Sequence, residues 1–73
     1  MDKLFGSINR SKKLRINVTV KDFNNVRYLH IRENYLNDED KWTPTKKGVV
    51  FSQTKQITDL IKLLQLAKKE LAS

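Results

Sequence analysis

The stretch LRINVTVKDFNNVRYLHIREN, residues 14–34, decides how this chain folds. Leu14, Ile16, Val18 and Val20 alternate with Arg15, Asn17, Thr19 and Lys21. Strict period-two alternation with β-branched residues on the apolar side is the mark of a strand with one covered face. Asp22-Phe23-Asn24-Asn25 follows, and an asparagine pair tolerates the left-handed backbone of a tight hairpin turn. The chain then returns as VRYLHIREN, with Leu29 and Ile31 on one side and Tyr28, His30 and Arg32 on the other. Two alternating runs around such a turn specify an antiparallel hairpin.

Outward from the hairpin, LNDED reads as an acidic turn and KWT as a short third strand. Pro44 ends or bends that strand, because proline donates nothing to a ladder. Gly48 leads into VVF, a fourth strand. Ser52 is suited to cap a helix, and from Gln53 the period changes. Ile57, Leu60, Ile61, Leu64 and Leu71 recur at helical spacing, while Leu63, Leu66 and Ala67 widen the apolar surface. One helix on a small sheet needs an apolar stripe of only about 100°. The surplus, with no second helix in the chain, predicts a homodimer in which Leu60, Leu63, Leu64, Leu66 and Ala67 lie at the interface. The expected class is α+β, four antiparallel strands followed by one C-terminal helix. Residues 1–13 (MDKLFGSINRSKK) are expected to form a flexible basic arm, part of which can also serve as an edge strand, and residues 14–73 the domain.

With 73 residues the chain makes one small domain, which buries only about 60% of its unfolded surface and is marginal as a monomer. It has no cysteine, so neither disulfides nor thiolate metal sites add stability. It lacks both an apolar run of about 18 residues and the apolar core of a signal peptide, so an intracellular location with no membrane partner is expected. The net charge is +7, with a pI near 9.9. Residues 1–32 carry eight basic against two acidic side chains, and residues 33–73 carry seven against six. A basic surface concentrated in one half is the footprint of a polyanion binder.

Catalysis finds no support. His30 is the single histidine, and its same-face neighbours Tyr28 and Arg32 make no nucleophile–base pair. Asp38-Glu39-Asp40 lacks the ligand spacing of a calcium loop, and Lys46-Lys47-Gly48 lacks the upstream glycines of a phosphate loop. No enzyme activity, metal or cofactor is expected. Nucleic acid fits better, since single strands are held by cations for phosphates and by rings on which bases stack. Lys21, Phe23, Arg27, Tyr28, Arg32, Tyr35, Trp42, Lys46 and Lys47 supply both groups in interleaved order. Phe23, Trp42 and Phe51 are also readable as core. The one helix is too apolar to read a duplex groove.

VTVKDFNNVRYLHIRENY (residues 18–35) followed by WTPTKKGVVF (residues 42–51) resembles the transcriptional coactivator family named positive cofactor four. The shared pattern is Asp22-Phe23 after a basic strand end, then Ile31-Arg32-Glu33, the acidic turn Asp38–Asp40, and Pro44-Thr45-Lys46-Lys47-Gly48. The resemblance covers about residues 14–71. It implies a curved four-stranded sheet with one helix, a homodimer, and binding of single-stranded or melted DNA with little sequence preference. By position it implies that Lys21, Arg32 and Lys47 contact DNA and that Phe23 stacks on a base. Tyr35 stands where well-known members have a stacking tryptophan, with Trp42 as an alternative platform. Val26 and Thr43 stand where relatives often have lysines, a loss for which Arg15, Arg27 and the N-terminal basic residues are placed to compensate. The chain looks like the DNA-binding core alone, without the serine-rich N-terminal region of eukaryotic coactivators.

The leading expectation is therefore a single-stranded DNA binder in transcription, replication or repair. An RNA-binding module of the same build is one alternative. The other is a basic dimer that docks on the transcription machinery.

Overall fold

Asn24 and Asn25 both adopt left-handed backbone, with φ of 51° and 64°. Two consecutive positive φ angles make the turn whose twist matches a tight hairpin, and the strands on either side pair around it in unbroken register. This computed structural model describes residues 2–73. β2 (Leu14–Phe23) and β3 (Val26–Leu36) face each other from Phe23 opposite Val26 to Leu14 opposite Tyr35. β1 (Lys3–Ser11) lies on the outer side of β2 and β4 (Trp42–Phe51) on the outer side of β3. α1 (Thr54–Leu71) follows β4. All pairs are antiparallel, in the order β1-β2-β3-β4.

Two elements differ from the sequence reading. Lys3–Ser11, read mainly as a basic arm, forms the edge strand that the reading had allowed for part of it. KWT and VVF are the two ends of one strand, β4, and Pro44 sits inside it opposite Asn34. Proline is tolerated there because β4 is an edge strand, whose outward side needs no donor. Between Pro44 and Gly48 the register shifts, so that Thr45, Lys46 and Lys47 oppose the single residue Glu33. β1 shifts twice, leaving Phe5 and Arg10 without a partner in the register. Such bulges bend and twist a sheet locally, and the four strands form an open, curved sheet. At Gly48 the strands approach closely, since a Cβ would lie 2.8 Å from the Ile31 carbonyl oxygen and 3.1 Å from the Arg32 Cα.

Period two divides the sheet into two faces. Ile16, Val18, Val20, Leu29, Ile31, Val49 and Phe51 share the apolar face, and α1 touches the sheet only through β4. Ile57 and Leu60 are the half-buried residues of the helix, and from Ile61 onward it is exposed. Among the described residues no apolar side chain is fully buried. Val49, Ile61, Leu63, Leu64 and Leu66 are each at least half exposed. The protomer thus presents an apolar sheet face and a mostly open apolar helix.

Candidate nucleic-acid interface

The other face of the sheet is polar and carries most of the residues singled out from the sequence. β2 contributes Arg15, Asn17, Thr19, Lys21 and Phe23, and their partners on β3 are Asn34, Arg32, His30, Tyr28 and Val26. β4 adds Trp42, Pro44 and Val50 at positions of the same parity. Two hollows adjoin on this face. One, of about 240 Å³, is lined by Asn17, Thr19, Lys21, His30, Arg32 and Asn34 and closed by Pro44. The next, near the hairpin end, is lined by Lys21, Phe23, Tyr28, His30 and Val50, with Asp2 and Asp22 at its rim. Lys21 and His30 line both.

Local contacts fix the orientation of these groups. The Arg32 guanidinium donates to the Thr45 carbonyl oxygen at 3.0 Å, tying the β4 bulge to β3. Asn34, the most buried polar residue of the described chain, donates to the Arg32 carbonyl at 3.2 Å. Ser7 donates to the Asn17 side-chain oxygen at 2.7 Å, which extends the polar face onto β1. The Arg15 guanidinium lies over the Trp42 ring, 4.2 Å from its centroid. Phe23 is 67% exposed, so an unpaired ring stands free at the hairpin end. Burial pushes the His30 pKa down, and the positive charges of Lys21 and Arg32 push it further in the same direction. Among the described residues its buried Nδ1 has no hydrogen-bond partner.

Cations, an open ring and neutral hydrogen-bonding groups on one curved sheet are the parts of a stacking and phosphate surface. The family model for Transcriptional Coactivator p15 (PC4) matches residues 8–63, most of the chain. The chain belongs to the PC4 family. Membership supports a DNA-binding role connected with transcription. Among solved structures, the PC4 homologue BPSL1147 of Burkholderia pseudomallei matches with a TM-score of 0.86 and 22% identity, over 93% of this chain and 90% of that one. The bacteriophage T5 homologue of PC4, described as implicated in recombination-dependent DNA replication, matches with a TM-score of 0.77 and 24% identity. That match spans 97% of this chain and 81% of the phage protein. At these identities the two structures establish the PC4 fold. A comparison with curated proteins found no match.

Within this PC4 fold the remaining candidates fall elsewhere. Arg27 and Tyr35 have the opposite parity on β3 and stand at the two ends of the sheet, opposite Asp22 and Leu14. Arg27 pairs with Asp22 at 3.4 Å, an exposed contact of little energetic weight. Lys46 and Lys47 sit in the β4 bulge, and Lys47 lines a hollow on the apolar side with Arg10, Ile16, Ile31 and Glu33. Of the helix candidates, Leu60 is half-buried, whereas Leu63, Leu64, Leu66 and Ala67 are exposed. The sequence reading passed over Asn17, Thr19 and Asn34. The alternation that exposed Lys21 also placed Asn17 and Thr19 beside it, and only the pairing register adds Asn34. Among the described residues no helix is long and apolar enough to cross a membrane.

Proposed function

We propose that this PC4-family chain is a homodimer that binds single-stranded or locally melted DNA with little sequence preference. The observation that carries the reading is the polar face, where the free Phe23 ring, Lys21 and Arg32 stand beside two adjoining hollows, one of them lined by Asn17, Thr19 and Asn34. Phosphates neutralised by Lys21 and Arg32 supply affinity. A base stacked on Phe23 supplies the preference for open strands, since a paired base offers no free face. The uncovered apolar sheet face and the exposed leucines of α1 support pairing with a second copy.

The test is a titration with oligo-dT and with a duplex of the same length at two salt concentrations. The expected result is tighter binding to the single strand, with log K falling by about 0.7 per neutralised phosphate for each unit of log salt. Phe23→Ala should weaken single-strand binding by about tenfold or more, the order expected for one stacked base. Equal or tighter binding to the duplex would sink this reading, and a preference for a matched RNA strand would move it to RNA.

A further inference from the structure

The end of the polar face opposite Phe23 holds an arrangement that phosphate binding does not need. Arg15, on β2, stands opposite Asn34 on β3 and Asn9 on β1. Trp42 is on β4 opposite Leu36. To reach the indole, the Arg15 side chain crosses β3, and its guanidinium carbon comes to rest 4.2 Å from the ring centroid. Both side chains are half-buried, and among the described residues the buried Arg15 Nε has no hydrogen-bond partner. A cation whose task was to meet a phosphate would gain from a free, solvated head group. Here the planar head group instead sits over an aromatic ring, and a guanidinium placed on one ring can take a second flat group on its outer side. Guanidinium is weakly hydrated and stacks on aromatic rings and bases, which an ammonium does not do.

We infer that Arg15, held by Trp42, is a second nucleobase platform, taking a base of the same single strand whose other base stacks on Phe23. This rests on the single-strand reading above and adds to it a place, a ligand group and a length. Trp42 is a positioning residue: the guanidinium covers its ring, so the base meets Arg15. Eight residue steps along extended β2 separate Arg15 from Phe23, about 26 Å at the usual rise per residue. Lys21 and Arg32 lie between them as phosphate contacts. A short oligonucleotide can use only one platform, and affinity rises in a step when the strand becomes long enough to use both.

Trp42 is the single tryptophan of the chain, so its fluorescence reports on this site alone. Oligo-dT of increasing length is titrated into the full chain while Trp42 emission and affinity are followed together. The expected result is an emission change that appears with the affinity step, at lengths that span both platforms. Arg15→Lys keeps the charge and loses the plane. It should weaken long oligonucleotides by about tenfold and abolish the step, while the retained charge keeps the salt slope. If Arg15→Lys binds long strands as tightly as the parent while Phe23→Ala still weakens them, the platform is overturned and the single-strand reading stands. A parent protein whose bound long strands leave Trp42 emission unchanged overturns the platform without recourse to any variant. If no oligonucleotide binds at low salt, both readings fall.

Discussion

At the scale of single residues, His30 and Gly48 carry the sharpest expectations. His30 is held neutral by burial and by the nearby positive charges of Lys21 and Arg32, so its pKa lies below the ordinary 6.5. Asp2, Asp22 and Tyr28 also line the hollow beside it, and the carboxylate of Asp2 pulls the other way. In the unfolded chain the imidazole takes up a proton near its ordinary value, while the folded protein resists it. Stability is therefore full above about pH 6.5 and falls as the pH drops below that toward the folded value. Thermal melts from pH 7.5 down to pH 5 should show this fall, and His30→Gln should remove the part of it that begins near pH 6.5. At Gly48 the atoms a new methyl would meet are backbone, at 2.8 and 3.1 Å, and have no rotamer by which to escape. Gly48→Ala should cost about 1–3 kcal/mol in urea unfolding, the usual range for overpacking.

At the scale of elements, the helix and the two outer strands show where sequence patterns reach and where they stop. α1 has no apolar partner in its own protomer beyond its first turns. Leu64→Glu, at a position 56% exposed in the protomer, should shift sedimentation toward a smaller, less stable species. Its loss should be about 2 kcal/mol or more per protomer, the value of one buried leucine. If Leu64→Glu sediments and melts like the parent, the helix is not the interface. The central hairpin was legible because both its strands alternate and its turn uses an asparagine pair, which tolerates two positive φ angles. β1 was less legible because Gly6, Ser7 and the two unpaired residues Phe5 and Arg10 break its alternation. β4 was split in reading because Pro44 is a stop signal in a central strand but not at an edge. The candidate site followed the same logic. Lys21 and Arg32 were visible from alternation and Phe23 from the family resemblance, whereas Arg15 on Trp42 joins residues from β2 and β4 that only the folded sheet brings together.

At the scale of the whole molecule, the described residues include no fully buried apolar side chain, so the interior of a single chain is thin. If the folded state is a pair, the melting temperature rises with protein concentration, because association and folding draw on the same equilibrium. Calorimetric melts over a hundredfold range of concentration should show that rise, and a concentration-independent midpoint would identify a self-sufficient monomer.

The placement of the bulges has a further consequence at this scale. A four-stranded meander ends in two strands with unpaired backbone groups, each a potential template for another chain. Here β1 is interrupted at Phe5 and Arg10, and β4 at Thr45–Lys47 with Pro44 just before. Neither border offers a long straight run of donors and acceptors, and the β4 interruption places two lysine charges there as well. Strand-by-strand growth into fibrils is hindered at both borders, while the broad apolar face remains open. If copies of this chain associate, as proposed above, the apolar face favours a closed pair over strand-by-strand growth.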